Sequence, residues 1–343
     1  MAKQALAVKY RPKKFEDVCE QSSIVKIFKN MIENESFPNS MLFCGPAGTG
    51  KTTCGRIMAN EINKGVGAPI EIDAASNSGV DNIRKVIENS KLKSITGDYK
   101  VYIIDECHSL SAGAWQALLI TLESPSSKTI FILCTTDPQK IPNTILSRVQ
   151  RYDFQRITFN TIVQRLEYIL NNEQKIDNTI KYERAALEYI AKLAAGGMRD
   201  AITMMDKCLN LDNNLTVNNV IQALGTQDFG ILFKLTNYLI KGDSISAITL
   251  IEDIYLKGQD LKQFINQYLN FLLDCCKFNL LHNYDYIQIP NTFDKDLNSY
   301  KSSDFKIINH LMHRIQILLN AIKWESNVKM FIEAELIYIC EDI

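Results

Sequence analysis

The sequence predicts an α/β fold with a parallel five-stranded sheet, followed by a second half made only of helices. Three observations predict this division. Strand-like and helix-like segments alternate over residues 1–157, which is typical of a parallel sheet flanked by helices. A glycine-rich segment connects the first of these strands to the helix after it. Beyond about residue 158 the strand signal disappears, and apolar residues recur at helical spacing as far as residue 343.

Composition and charge are those of a soluble globular protein with two or three domains. The 343 residues are 46% hydrophobic and 22% charged, and a chain of this length can bury a large core. A net charge of −1 argues against a protein that coats nucleic acid through bulk electrostatics. The start lacks the apolar core of a leader, and no run of 18 apolar residues occurs. The sequence therefore predicts a cytoplasmic protein without membrane contact.

The nine cysteines are scattered, mostly within apolar runs, and none forms a C-x-x-C pair. This spacing favours buried thiols in a reducing compartment. No zinc site is expected.

Five short runs are predicted to form the sheet, at residues 41–44, 70–73, 101–105, 130–134 and 151–154. The helices predicted beside them cover residues 23–33, 52–62, 80–90 and 112–123. Ser111 is the expected N-cap of the last one. Helices at 161–170, 182–194, 199–209 and 217–224 follow, and a second helical block begins near residue 228. Its apolar stripes, which include Phe264 and Tyr268, are expected to face a core, with subunit contacts as the alternative.

The glycine-rich segment is a complete G-x-x-x-x-G-K-T loop. Its residues are Gly45, Pro46, Ala47, Gly48, Thr49, Gly50, Lys51 and Thr52, and Thr53 follows in the helix. The backbone N–H groups of such a loop, with the helix N-terminus, surround phosphate oxygens. Lys51 would reach the β- and γ-phosphates, and the Thr52 hydroxyl would ligate Mg²⁺. The sequence predicts a nucleoside triphosphate site, against the alternative of a chance glycine-rich turn.

Two acidic residues end the strand at 101–105, some 55 residues after the loop. Asp105 suits coordination of Mg²⁺ through water, and Glu106 suits orientation of the attacking water. Many strands end in acids, so the pair becomes informative only because it accompanies the loop.

Three further residues are candidates for the same chemistry. Thr136 ends the neighbouring strand, where its hydroxyl would bind the γ-phosphate or the water, unless it is a plain strand end. Arg148 precedes the last strand. It is either a surface residue or an arginine finger for a neighbouring subunit, worth roughly 10³–10⁵ in rate. Arg199, at a helix start, either reaches the γ-phosphate or pairs with Asp200.

Several motifs together resemble the clamp-loader ATPases of the AAA+ superfamily, above all the bacterial DNA polymerase III gamma/tau family and more distantly the replication factor C small subunits. Besides the loop, they are segments 9–18 (KYRPKKFEDV), 73–77 (DAASN), 105–111 (DECHSLS), 117–123 (ALLITLE), 135–142 (TTDPQKIP), 144–148 (TILSR) and 197–201 (GMRDA). The resemblance is dense over residues 7–210 and only architectural beyond them.

The resemblance implies a role for each candidate residue. Arg11 and Val18 would belong to the segment that packs on the adenine of ATP. Thr136 would be sensor 1, Arg148 the finger acting in trans, and Arg199 sensor 2.

The resemblance also implies an architecture and a reaction. Residues 1–157 would form an AAA+ ATPase domain, 158–225 a helical lid domain, and 226–343 an all-α collar domain for oligomerisation. The collar would hold a pentameric ring made with companion clamp-loader subunits or with copies of this chain. ATP binding and hydrolysis, with Mg²⁺, would open a ring-shaped sliding clamp and place it on primer–template DNA.

The sequence departs from the family in three places. Residues 63–69 fill the space where the family usually carries a four-cysteine zinc module, so no zinc is expected there. The finger motif usually reads Ser-Arg-Cys, whereas Val149 follows Arg148 here. The long tail of tau-type members, which tethers helicase and polymerase, is not expected beyond the collar. A phage-encoded or divergent bacterial subunit would fit all three.

In the resembled family, helix N-termini inside the ring grip DNA phosphates. The candidates here are Ser78, Gly79, Arg84 and Ser111. Ordinary capped helices are the alternative. Leu92 and Ile95, in a basic stretch, are candidate apolar anchors for the clamp, with a place in the core as their alternative.

Two other functions stay open from the sequence. One is a different AAA+ DNA-remodelling motor, such as a branch-migration helicase, against which the collar-like third domain argues. The other is a non-catalytic scaffold that binds ATP only as an assembly ligand. The joint presence of Glu106, Thr136 and Arg148 disfavours that scaffold.

Overall fold

The computed structural model describes residues 4–92, 94, 97–123, 128–225, 229–290 and 293–342. The chain folds as two compact units. Unit 1 comprises residues 1–181 and 190–214, and unit 2 comprises residues 182–189 and 215–343. Within the described ranges, the helices are too short or too polar to cross a membrane. The finer division into three domains at residues 157 and 225 stays a prediction.

Unit 1 is built on a five-stranded parallel sheet, as the sequence predicts. Its strands are β1 (Ser40–Cys44), β2 (Ile70–Asp73), β3 (Lys100–Asp105), β4 (Thr129–Thr135) and β5 (Gln150–Asp153). Their order is β2-β3-β4-β1-β5, and every pairing is parallel. The interior strands β1, β3 and β4 are buried almost throughout, which is why they are nearly continuous apolar runs. All five carboxyl ends therefore meet at one edge of the sheet.

Helices cover both faces of this sheet. They are α2 (Ser22–Glu33), α3 (Lys51–Ile62), α4 (Val80–Ser90) and α5 (Ala112–Glu123). On one face, Phe28 and Phe43 belong to a core with residues of α2 and α3. On the other, Leu42 and Leu118 belong to a core with residues of α4 and α5. Successive strand residues point to opposite faces, so adjacent Leu42 and Phe43 serve different cores.

Further α-helices and two short strands are described between residues 4 and 215. They are α1 (Leu6–Lys9), α6 (Asn143–Leu146), α7 (Phe159–Gln174), β6 (Lys181–Tyr182), α8 (Arg184–Leu193), α9 (Met198–Leu211) and β7 (Asn214–Leu215). Helices α1 and α7 both pack against α9. Strands β6 and β7 pair with each other. The sequence predicts no strand there, because two residues are too few to show a periodic signal.

The rest of unit 2 is helical. Its helices are α10 (Val217–Leu224), α11 (Phe229–Ile240), α12 (Ser244–Leu256), α13 (Leu261–Leu281), α14 (Asp294–Leu297), α15 (Ser302–Ala321) and α16 (Val328–Asp342). The predicted apolar stripes face its core, where Phe233, Phe264, Tyr268 and Ile308 are buried. The rings of Phe233 and Phe271 meet edge to face, with centroids 4.8 Å apart.

Candidate nucleotide-binding site

The glycine-rich loop lies between the end of β1 and the start of α3. Gly45, Gly48 and Gly50 have φ values of 148°, 72° and 99°, which glycine adopts without steric cost. A Cβ on Gly45 would lie 2.4 Å from the carbonyl oxygen of Phe154, and one on Gly48 would lie 2.9 Å from Cα of Gly197. Glycine is therefore required at both positions by conformation and by space. The tight loop ends at the free N–H groups of the first turn of α3.

Lys51 is buried at this loop, with 6% of its surface exposed. Its ammonium group donates to the carbonyl oxygens of Gly45 at 2.7 Å and Pro46 at 2.8 Å. The Thr49 hydroxyl donates to the same Pro46 carbonyl at 2.8 Å. Burial lowers the pKa of Lys51, because the charged form loses hydration. A phosphate would supply the negative charge that two neutral carbonyls lack.

Helix α3 and strand β3 bring a hydroxyl and a carboxylate together. Thr52 Oγ1 donates to Asp105 Oδ2 at 2.7 Å. The other carboxylate oxygen of Asp105 accepts the N–H of Glu106 at 3.0 Å, which fixes its orientation. Hydroxyl and carboxylate oxygens are the ligands that Mg²⁺ prefers. These two side chains therefore fit the predicted Mg²⁺ ligands.

Glu106 follows β3 in a left-handed conformation, with φ of 47°, which is uncommon for a residue other than glycine. This conformation turns the chain into the 3₁₀-helix Cys107–Ser109. Thr136, directly after β4, donates its hydroxyl hydrogen to Glu106 Oε2 at 2.9 Å. The structure thus joins the predicted water-orienting acid to the predicted sensor 1.

The N-terminal segment and the start of α9 complete a pocket within unit 1. The predicted site residues that line it are Arg11, Val18, Ala47, Gly48, Thr49, Gly50, Lys51, Thr52, Thr53, Asp105, Glu106 and Arg199. Burial lowers the pKa of Arg11, and the positive charges of Arg56 and Arg199 add to the effect. Positive side chains therefore lie close together at this pocket. The negative charge of a bound polyphosphate would offset the repulsion between them.

Sequence reasoning misses the residues that anchor the N-terminal segment. Glu173 of α7 accepts hydrogen bonds from Lys9 Nζ and from the Tyr10 hydroxyl, each at 2.6 Å. Arg165 of α7 donates to the backbone carbonyl of Tyr10 at 3.1 Å and lines the pocket. Glu173 is buried on the apolar face of its helix, three residues after Leu170. The signal available in the sequence was an acidic residue, Glu173, at a helical position where the apolar pattern faces the core.

The first helical residue of α9 contacts the loop directly. The backbone N–H of Met198 donates to the carbonyl oxygen of Gly48 at 3.0 Å. This bond places Arg199, the next residue, at the phosphate-binding loop. The position of the Arg199 backbone is therefore compatible with a contact between the Arg199 side chain and a terminal phosphate.

Arg148 is not among the described residues that line this pocket. Its Nε and Nη2 contact Glu123 Oε1 at 2.7 Å and 2.6 Å, and its Nη1 donates to the carbonyl oxygen of Thr144 at 2.6 Å. Val149, which replaces the expected cysteine, packs against the core beside α5. The guanidinium therefore lies outside the pocket of its own chain.

The predicted phosphate-binding helix starts lie side by side. The N–H of Ser111 donates to the carbonyl oxygen of Ser78 at 3.1 Å, so α4 and α5 begin close together. The Ser111 hydroxyl accepts the N–H of Ala114 at 3.2 Å, which confirms Ser111 as the N-cap. Arg84, one turn into α4, pairs with Asp81 at 3.4 Å.

Of the two predicted clamp anchors, Leu92 is 63% exposed, which excludes the alternative of a core position for it. Ile95 lies outside the described residues. The clamp contact itself stays a prediction.

Six of the nine cysteines are buried, as their apolar surroundings predict: Cys44, Cys54, Cys107, Cys134, Cys208 and Cys275. Burial raises the pKa of the Cys134 thiol well above its usual range, so this thiol is kept protonated and unreactive. In the part of the chain that the structure describes, no three His, Cys, Asp or Glu side chains are grouped to hold a metal ion.

Two family models match the chain. The DNA polymerase III delta subunit model matches residues 64–158, and the model of the ATPase lid domain of the DNA polymerase III clamp loader subunit matches residues 161–211. Among solved structures, the Holliday junction branch migration motor RuvB of Thermotoga maritima has a TM-score of 0.50 at 19% identity. That similarity covers 69% of this chain and 80% of RuvB, and it concerns the fold alone.

Curated relatives match over longer stretches. The tau subunit of DNA polymerase III from Bacillus subtilis is 34% identical across 99% of this chain and 64% of its own length. The chain spans only 45% of the Escherichia coli tau subunit. The gamma subunit from Buchnera aphidicola subsp. Schizaphis graminum is 33% identical across 78% of this chain and 79% of its own length. Identity at this level over most of a gamma subunit, together with the lid-domain match, shows that the chain belongs to the DNA polymerase III gamma/tau family of clamp-loader subunits.

Proposed function

We propose that this chain is an ATP-hydrolysing subunit that loads sliding clamps in DNA replication. The observation that carries the proposal is one pocket in unit 1 that Lys51, the Thr52–Asp105 pair and Glu106 all line, with Thr136 bonded to Glu106. Phosphate binding, metal binding and water activation need these groups within one site. Membership of the family supports the clamp-loading part of the proposal.

In this proposal, the chain's own groups bind the triphosphate first. The N–H groups of the loop and of the first turn of α3 bind phosphate oxygens, and Lys51 donates to the β- and γ-phosphates. Thr52 and Asp105 would hold Mg²⁺, which would neutralise charge on the phosphates. Arg11 contacts the adenine together with Val18, and Arg199 contacts the terminal phosphate.

Glu106 then orients the attacking water by accepting a hydrogen bond from it. In the structure, its Oε2 instead accepts the hydroxyl hydrogen of Thr136 at 2.9 Å. When the Thr136 hydroxyl turns to the γ-phosphate, this bond to Glu106 is lost and Oε2 gains the capacity to accept a hydrogen bond from the water. Nucleotide binding and activation of Glu106 are thereby coupled through one hydroxyl group.

Arg148 completes the site of a neighbouring subunit in this proposal. Its position outside its own pocket and its partly exposed side chain (34%) support a role in trans. To act there, the guanidinium must exchange Glu123 for phosphate oxygens of the neighbour. A surface ion pair of this kind is worth about 0–1 kcal/mol, so the exchange costs little.

The assembly we propose is a ring of five AAA+ modules, built from companion clamp-loader subunits or from copies of this chain. Residues 1–157 act as the ATPase domain, 158–225 as the lid and 226–343 as the collar. Primer–template DNA contacts the adjacent starts of α4 and α5, where N–H groups and the positive helix ends favour phosphates. The exposed Leu92 is a candidate anchor for the clamp.

A branch-migration motor would use the same fold. The similarity to RuvB is at 19% identity and reaches no further than that fold. The match to a clamp-loader lid at residues 161–211 favours the loader.

Glu106→Gln is expected to lower ATP turnover by about 10²–10⁴-fold, the contribution typical of positioned acid–base groups. ATP binding is expected to persist, because the amide keeps the shape of the side chain and Lys51 is untouched. Steady-state hydrolysis with primer–template DNA and the clamp measures turnover, and titration with a fluorescent ATP analogue measures affinity. Glu88→Gln, the same exchange at an exposed position of α4, is the control. A Glu106→Gln chain that hydrolyses ATP at the wild-type rate would refute the catalytic assignment.

A further inference from the structure

A histidine lies beside the carboxylate that the proposed function uses to activate water. His108 is part of the 3₁₀-helix that follows Glu106, and 18% of its side chain is exposed. Its Nδ1 lies 3.2 Å from Glu106 Oε2, the same oxygen that accepts the Thr136 hydroxyl hydrogen. The left-handed conformation of Glu106 turns the chain so sharply that His108 comes back to this carboxylate.

The contact decides which atom carries the hydrogen. An ionised carboxylate only accepts hydrogen bonds, so Nδ1 must carry a hydrogen to contact Glu106 favourably. A bare Nδ1 would instead set a nitrogen lone pair against the oxygen lone pairs of Oε2. Nδ1–H is therefore the form of His108 that matches the geometry.

Thr135 offers His108 a second partner. Its Oγ1 lies 3.1 Å from Nδ1 and accepts the N–H of Asp137 at 3.0 Å. The hydroxyl hydrogen of Thr135 can therefore point to a bare Nδ1. That second arrangement leaves a bare Nδ1 only 3.2 Å from Glu106 Oε2, so the arrangement in which Nδ1–H donates to Glu106 is favoured.

We propose that His108 is a positioning residue that holds Glu106 at the reacting water after Thr136 has turned to the nucleotide. This inference rests on the proposed function, because in it ATP binding draws the Thr136 hydroxyl away from Glu106. Glu106 then keeps one hydrogen bond, from His108 Nδ1, and its carboxylate is held at the pocket although 36% of its side chain is exposed. His108 is not among the described residues that line the pocket, so it acts on turnover and leaves nucleotide binding unchanged.

The test compares three variants of the full chain in steady-state ATP hydrolysis with Mg²⁺ and primer–template DNA. His108→Ala is expected to lower kcat by about 10-fold or more, the loss typical of one hydrogen bond to a charged group, with KM near the wild-type value. His108→Asn places an amide N–H close to the position of Nδ1 and is expected to recover most of that loss. His310→Ala, which changes an exposed histidine of α15, is expected to match wild type.

The outcomes separate this inference from the proposed function. A His108→Ala kcat equal to wild type, a loss confined to KM, or an asparagine variant as slow as the alanine variant would each refute the positioning role. A global loss of structure in His108→Ala would show as a lower melting temperature. In that case the kcat of the His108→Asn variant decides: a recovered kcat supports the positioning role, and an unrecovered kcat refutes it. A wild-type chain without any turnover would contradict the proposed function itself, and this inference with it.

Discussion

Lys51→Ala is expected to reduce the affinity for ATP by about 100-fold or more, since it removes a buried cation that makes charge-assisted hydrogen bonds to phosphates. The variant also leaves the carbonyl oxygens of Gly45 and Pro46 without the donor that now joins them at 2.7 Å and 2.8 Å. The loop therefore loses both its positive charge and an internal connection. Equilibrium titration with a fluorescent ATP analogue measures the loss.

Lys64→Ala is the matched control for that change. Lys64 lies just beyond α3, its side chain is 75% exposed, and it pairs with Glu35 at 3.0 Å. A surface pair of this kind contributes about 0–1 kcal/mol to stability, and nucleotide affinity is expected to stay at the wild-type level. If Lys51→Ala binds ATP as tightly as this control, the loop is not the phosphate site.

Arg148→Ala is expected to lower ATP turnover by about 10³-fold, the lower end of what an arginine finger supplies. ATP affinity is expected to stay near wild type, because Arg148 is outside the described lining of its own pocket. The two effects separate a group that acts in the transition state from one that binds the substrate. Steady-state hydrolysis with primer–template DNA and the clamp gives the turnover, and the same fluorescent titration gives the affinity.

Arg151→Ala tests whether any arginine near β5 has this effect. Arg151 is exposed and pairs with Asp153 at 2.8 Å, so it matches Arg148 in charge and in the type of contact. Removal of the Arg151 side chain is expected to change ATP turnover by less than about twofold, because a surface ion pair contributes little energy. Equal turnover in the Arg148→Ala and wild-type chains would remove Arg148 from the catalytic machinery.

The sheet could be predicted from the sequence because its interior strands are buried on both faces. Such strands are short, nearly continuous apolar runs, and the predicted run at 41–44 differs from β1 by one residue, Ser40. Helix α5 begins at Ala112, as predicted, since Ser111 is a strong capping residue. Strands β6 and β7 were beyond prediction, because two residues carry no pattern.

The phosphate-binding part of the site could be predicted because its residues form one local loop. Contacts between residues that are far apart in the sequence could not be predicted. Glu173 binds Lys9 across 164 positions, and nothing in the sequence pairs these two side chains. The His108 contact depends on a left-handed backbone at Glu106, which glycine or asparagine would signal but glutamate does not.

Co-expression of the Lys51→Ala and Arg148→Ala chains measures whether neighbouring chains share each catalytic site. The first keeps its finger but binds ATP only weakly, and the second binds ATP but offers no finger. In a mixed ring, an Arg148→Ala pocket beside a Lys51→Ala neighbour regains a complete site. ATP turnover of the mixed assembly well above the sum of the two separate variants is the predicted result. Turnover equal to that sum, in assemblies that native mass spectrometry shows to contain both chains, would contradict a shared site.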